Sequence, residues 1–237
     1  MVLLGAFVNA VCIVFGTLLG RALRNIPDKM KETVLQGIGI AIIALGLQMG
    51  FESSNFVIVI ISLVFGTVLG EWWDLDRLLN NTGKFIERKL GTKENQGSLA
   101  QGFVTATLIF VIGAMGVIGS LESGLTGEHK ILYSKGVIDG FTSIVLASTL
   151  GIGVLLSAVP VFVYQGFIAL FATQIKTIVP EDALDLFVGE MTATGGLMIV
   201  AIGLNLLGLM KVRVANMLPG ILVTAVIVTV LYQMGFV

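Results

Sequence analysis

Charge is what this sequence has least of: Asp, Glu, Lys and Arg make up 12% of its 237 residues, about half the share in a soluble domain. A surface that poor in charge is badly solvated by water, and an ordinary soluble enzyme is excluded on that ground. The chain has one histidine and one cysteine. Ser/His or Cys/His catalysis and a zinc site of His and Cys ligands therefore have almost nothing to draw on. The lone Cys12 cannot form an internal disulfide and is read as a small packing residue. His129 is placed in a loop and read as solvated. The net charge of −1 leaves no basic patch for nucleic acid. Walker A, dinucleotide-fingerprint, His-Glu-x-x-His and Cys-x-x-Cys patterns are absent, so neither a cofactor nor a bound metal is expected.

Apolar residues and glycine fill the space. Hydrophobic residues reach 56%, and there are 30 glycines against four prolines, a balance that suits membrane helices because glycine lets backbones approach closely. Eight apolar runs of about twenty residues follow one another, each long enough to cross a bilayer core as a helix. They are Val2–Gly20, Thr33–Gly50, Asn55–Trp73, Gln101–Ser120, Gly136–Ala158, Pro160–Ile178, Phe187–Leu209 and Leu218–Met234. Helix is preferred to strand because the runs lack the alternating polarity of barrel strands. The expected fold is all-α: one integral membrane domain over 1–237, a bundle of about eight transmembrane helices, with a tight hairpin at Ser157–Pro160. Residues 74–90 alternate apolar and charged positions at helical spacing and are read as a helix lying in the cytoplasmic interface beside Trp72 and Trp73. A shorter outer counterpart is read at Pro180–Phe187, and Thr92–Ser98 is read as a loop.

Basic residues test the layout. Eleven of the 14 fall in the connections after the first, third and seventh runs, and three (Lys130, Lys135 and Lys176) fall on the other side. By the positive-inside rule both termini lie outside the cytoplasm. The first run lacks the preceding positive charge of a cleaved signal, and it is expected to stay as a span.

Two echoes run through the chain. Val14-Phe15-Gly16-Thr17-Leu18-Leu19-Gly20 resembles Val64-Phe65-Gly66-Thr67-Val68-Leu69-Gly70, and the paired glycines suit a close helix contact, including one between copies of the chain. Ala44-Leu45-Gly46-Leu47-Gln48 resembles Ala201-Ile202-Gly203-Leu204-Asn205. The second echo relates helices 1–3 to helices 6–8, an odd offset that inverts one copy across the membrane, as in many secondary transporters.

Chemistry is sought in the polar residues that remain inside the spans. Glu190, Asp139 and Glu122 all fall near the expected outer end. A carboxylate facing lipid is costly, so such groups turn to a cavity, a partner or water. They are nominated as a cation or proton site, with Thr192, Thr194, Ser120 and Asn205 supplying neutral oxygens. Asn9, Gln165 and Asn216 are further candidates for a pathway or for bonds between helices. Glycine clusters at Gly113–Ser120, Leu150–Gly153 and Thr192–Gly196 have the composition of broken helices, and of close packing too.

Five stretches read together carry a resemblance: Val111 to Ser120, Lys135 to Phe141, Ala147 to Gly153, Glu190 to Gly196 and Arg213 to Pro219. Over essentially its whole length the chain resembles the bacterial membrane proteins grouped as domain of unknown function 554. The resemblance implies an inner-membrane protein of transport type, without a substrate or a functional residue. The expected function is a secondary transporter or channel for a small cationic or proton-coupled solute, with membrane lipid and that solute as partners. The alternatives are a structural or sensory membrane subunit and, with a much thinner inventory behind it, an intramembrane enzyme.

Overall fold

The computed structural model describes residues 1–22, 28–79, 81 and 98–235, and among these every regular element is helical. In chain order they are α1 (Leu4–Ala22), α2 (Asp28–Gly50), α3 (Phe56–Trp73), α4 (Ser98–Val111), α5 (Ala114–Thr126), α6 (Lys130–Leu150), α7 (Gly153–Leu156), α8 (Ala158–Leu170), α9 (Ala172–Ile178), α10 (Glu181–Leu206) and α11 (Pro219–Gln233), with a 3-10 turn at Val214–Met217 before the last. Most of the interfacial helix expected at 74–90, and the loop expected at 92–98 apart from Ser98, which begins α4, lie outside the described residues. What is described there is the start: Asp74 ends α3 in a left-handed conformation (φ 50°), and a helical stretch resumes at Leu75.

Among the described residues, six helices are long and apolar enough to cross a membrane: Leu4–Ala22, Glu32–Gly50, Phe56–Trp73, Gly153–Leu170, Asp182–Leu206 and Val214–Gln233. A seventh is reached if α4 and α5, bent by 61° at the Ile112-Gly113 break, count as one span. The expected hairpin at Ser157–Pro160 is not where the chain turns. Helix α6 ends at Gly151, whose φ of 79° suits a residue without Cβ. Pro160 instead sits in the first turn of α8, where a missing N–H removes no helix bond. The short outer helix expected at Pro180–Phe187 is the beginning of α10, continuous over 26 residues.

The chain divides into two compact units, neither contiguous in sequence: Met1–Lys31 with Asn80–Ile178, and Glu32–Leu79 with Val179–Val237. In the first, α1 runs parallel to α6 and glycine sets their separation. A Cβ added at Gly16 would run into the Gly140 carbonyl, and one at Gly20 into the Ile144 carbonyl. From the other side, Gly136 faces the Asn9 backbone and Gly140 faces Cys12. In the second unit α2 and α10 are antiparallel, with Gly46 against Gly196 and Gly39 against Gly203. Seven residues separate the glycines on each helix, two turns, which returns them to one face. Gly66 and Gly70 of α3 abut Gly220 and Asn216. The four glycines that suggested a contact between copies of the chain, Gly16, Gly20, Gly66 and Gly70, are thus all used inside it.

Outward faces are apolar and inward faces carry the small and polar residues. On α3, Val57, Ile60, Val64, Phe65 and Val68 are exposed while Ser62, Gly66 and Gly70 are buried. Gly70→Ala tests the packing, because its methyl would fall on the Asn216 backbone, which cannot move aside as a side chain can. A fall in detergent melting temperature equivalent to about 1–3 kcal/mol or more is expected. Gly37→Ala, with nothing within 4 Å of the new carbon, is expected to be neutral or mildly stabilising. Equal losses in the two variants would contradict the packing.

Candidate functional site

The first unit buries a charged cluster. Lys135 and Asp139 lie one turn apart on α6, and they are only 7% and 4% exposed. Lys135 Nζ stands 2.9 Å from Asp139 Oδ2 and 3.1 Å from Oδ1. Asn9 of α1 donates from Nδ2 to Asp139 Oδ2 at 3.0 Å and to Gln165 Oε1 of α8 at 3.2 Å. The sequence places these groups together for a local reason. Gly136 and Gly140 flank Asp139, so the α1 backbone comes close enough for the short Asn9 side chain to reach the carboxylate.

Two polar atoms of the cluster are buried without a hydrogen-bond partner: Asn9 Oδ1 and Gln165 Nε2. Nearby the helix pair α4/α5 is broken. Gly113 has φ 131° and ψ 147°, a conformation that glycine alone adopts readily. Three residues on, a Cβ added at Gly116 would lie 3.6 Å from Lys135 Cε and 3.8 Å from a ring carbon of Tyr164. That is ordinary contact distance, so the first turn of α5 leaves about a methyl's room beside the lysine stem.

Of the remaining nominated residues in this unit, Ser120 donates back to the Gly116 carbonyl at 2.6 Å. Glu122 has a buried, partnerless Oε2 and forms no described bond with Asp139. His129, read as solvated, instead lies 2.8 Å through Nδ1 from Ser123 Oγ, which also donates to the Val2 carbonyl.

Glu190, Thr192, Thr194 and Asn205 belong to the second unit. Glu190 is fully buried, and four donors reach its carboxylate. Ser53 Oγ bonds Oε2 at 2.7 Å, while Ser54 N, Ser54 Oγ and Asn55 N bond Oε1 at 2.9, 3.0 and 2.9 Å. Asn55 is the N-cap of α3, so the carboxylate sits at the positive end of that helix. Thr194 Oγ1 and Thr224 Oγ1 are 3.2 Å apart, and the Thr192 hydroxyl is buried without a partner. Asn205 closes the end of α10 by bonding both the Val212 carbonyl and the Val212 N–H, at 2.7 and 2.8 Å. Asn216 accepts from the Asp76 N–H at 2.7 Å. The cluster at Thr192–Gly196, read as a break or a close contact, is a close contact: α10 is unbroken through it.

The participant that the polarity pattern missed is Lys135. Counted as a loop charge, it is instead buried beside Asp139. Its signal was present in the four-residue spacing of opposite charges on one helix, flanked by glycine.

Described elements that are all helical, several of them long and apolar enough to span, apolar outward and polar inward, define a membrane protein. The family model described as Protein of unknown function (DUF554) matches residues 4–229, and the chain belongs to that family. It is 34% identical over 236 residues to the uncharacterized membrane protein YdfK of Bacillus subtilis (strain 168), covering 98% of each chain. It is 26% identical over 223 residues to the uncharacterized protein YqgA of Escherichia coli (strain K12), covering 92% of this chain and 93% of that one. No solved structure matches.

Proposed function

We propose that this protein is a secondary transporter, or a channel, for a small polar solute across the bacterial cytoplasmic membrane, with its site at Lys135, Asp139, Asn9 and Gln165. The observation that carries the reading is the buried ion pair with two open amide atoms beside a broken helix. Ionisable groups inside a membrane bundle mark pathways, and irregular backbone there is tolerated where it lines a cavity. Helix α6 then makes an eighth crossing. It is 21 residues long, and it exposes Val137, Ile138, Phe141 and Val145 while burying Lys135, Asp139, Ser143 and Thr149. Its low mean hydropathy comes from the inward face, and its lipid-facing side is apolar.

Eight crossings with both termini outside agree with the basic-residue bias. The glycine pairs Gly39/Gly46 and Gly196/Gly203 support the inverted repeat, since the relation of helix 2 to helix 7 exchanges one pair for the other. In this reading Asp139 holds the exchangeable charge, while Glu190, engaged by four donors, anchors the α2–α3 turn. Ser120 and Glu122 lie along the first unit, and Thr192, Thr194 and Asn205 serve the packing and closure of the second.

Alternating access makes the site reachable from water on either side of the membrane. In the Cys12→Ser background, Gln165→Cys in sidedness-controlled vesicles is expected to react with a membrane-impermeant thiol reagent from both faces. Reaction from neither face, or from one only, would favour a structural or sensory subunit over a transporter.

A further inference from the structure

The open atoms of the cluster are assigned by its bonds. A carboxylate only accepts, so the Asn9 amide must turn Nδ2 toward Asp139, and the same nitrogen serves Gln165 Oε1. Flipping Asn9 would set two acceptors face to face. What remains open is one acceptor, Asn9 Oδ1, and one amide donor, Gln165 Nε2, on two side chains that are both fully buried. The four side chains are joined by contacts no longer than 3.2 Å. Asp139 and Asn9 Oδ1 both need a donor, whereas Lys135 and Gln165 Nε2 both need an acceptor.

A ligand must meet that inventory without stranding a charge. A bare cation taking the place of Lys135 at Asp139 would leave a buried ammonium unpaired, and a bare anion at Lys135 would leave a buried carboxylate unpaired. Either is strongly unfavourable in a dry interior. A zwitterion carries both complements. Its ammonium meets Asp139 and Asn9 Oδ1, its carboxylate meets Lys135 and Gln165 Nε2, and one internal ion pair is exchanged for two with the net charge unchanged. We propose that this cluster recognises a small zwitterion of the amino-acid type, an inference that rests on the transport reading and narrows its substrate class. Small size follows from the spacing of the four groups themselves, which are joined by contacts no longer than 3.2 Å and so suit an ammonium and a carboxylate held close together on one small molecule. The cationic solute expected from the carboxylates alone is replaced because Lys135 already cancels the charge of Asp139.

The test uses the full-length protein in nanodiscs and in proteoliposomes, with glycine, L-alanine and L-serine as probes and sodium, potassium, chloride and acetate as controls. At least one amino acid is expected to raise the melting temperature and to be taken up as radiolabel, while the control ions do neither. Gln165→Met keeps the ion pair but removes both the open donor and the Oε1 that accepts from Asn9, so it is expected to weaken the apparent affinity for that probe by at least about 10–100-fold, the usual effect of losing one hydrogen bond to a charged group. Two results would overturn the proposal while leaving transport standing. One is Asp139-dependent movement of sodium or potassium alone, or acetate accumulation driven by a proton gradient. The other is no binding or uptake of any of the three amino acids by protein whose Gln165→Cys variant is labelled from both faces. Failure of that labelling would instead remove the transport reading itself.

Discussion

Lys135→Met alone is expected to destabilise the protein by about 3–5 kcal/mol, Asp139→Leu alone by a similar amount, and the two together by much less. Each single substitution leaves the opposite charge in a site where it is nearly inaccessible to water: Asp139 is 4% exposed and Lys135 7%. After Lys135→Met, Asp139 keeps only the Asn9 amide as a hydrogen-bond partner. After Asp139→Leu, the ammonium loses both of its contacts, at 2.9 and 3.1 Å. The double variant has no charge to bury. Its cost reduces to one lost hydrogen bond from Asn9, about 1 kcal/mol, plus any change in packing. Melting temperatures in detergent, or SDS-titration midpoints, for the four proteins would complete the cycle. Single variants within about 1 kcal/mol of the parent would mean that the pair is hydrated in the resting protein. The dry-site argument for a zwitterion would then lose its basis.

The helical content and the apolar spans were legible in the sequence because a bilayer leaves the backbone few options, and run length reports them directly. The turns were harder. Pro160 reads as a hairpin, yet it marks only the short interruption at Ser157 between α7 and α8, and the chain turns at Gly151, where φ is positive. Composition alone could not separate the glycine cluster that bends from the one that packs. Gly113 has nothing within 4 Å of an added Cβ and takes a φ of 131°, whereas Gly196 faces the Gly46 carbonyl inside an intact helix. The difference lies in the partner helix, some 150 residues away in sequence for Gly196 and Gly46, and no local pattern records it. The two interleaved units were hidden for the same reason, since α1 finds α6 across more than a hundred residues.

The polar residues divided along similar lines. Asp139 was legible as an ionisable group in an apolar run, and the i, i+4 spacing to Lys135 was visible, but the neighbouring boundary assigned the lysine to a loop. Glu190 was legible as buried. Its partners were not, because Ser53, Ser54 and Asn55 lie far back in the chain in a connection that reads as an ordinary turn. Polarity inside a span shows that a group has a partner, and the structure supplies which one.

Glu190→Ala is expected to cost about 2–3 kcal/mol, whereas Glu190→Gln should cost less. Alanine removes every acceptor from Ser53 Oγ, Ser54 N, Ser54 Oγ and Asn55 N together. Ser54 and Asn55 are exposed and Ser53 half-buried, so solvent can replace part of what is lost, and the cost reduces to that of one or two donors left unmatched, at about 1–3 kcal/mol for a fully buried one. Glutamine keeps the pattern. Its Oε1 can accept from Ser54 N, Ser54 Oγ and Asn55 N, and its Nε2 can donate to Ser53 Oγ, since a hydroxyl can accept as well as donate. What glutamine loses is the full charge at the α3 N-terminus, about 0.3–1 kcal/mol near a surface and up to about 2 when partly buried. Melting temperatures for the two variants, with solute uptake measured on whichever protein remains folded, separate an anchor from a titrating site. An anchor gives an unstable alanine variant and a glutamine variant that still transports. A glutamine variant of parental stability that has lost all transport would move the exchangeable charge to Glu190 and return the α2–α3 turn to the transport pathway.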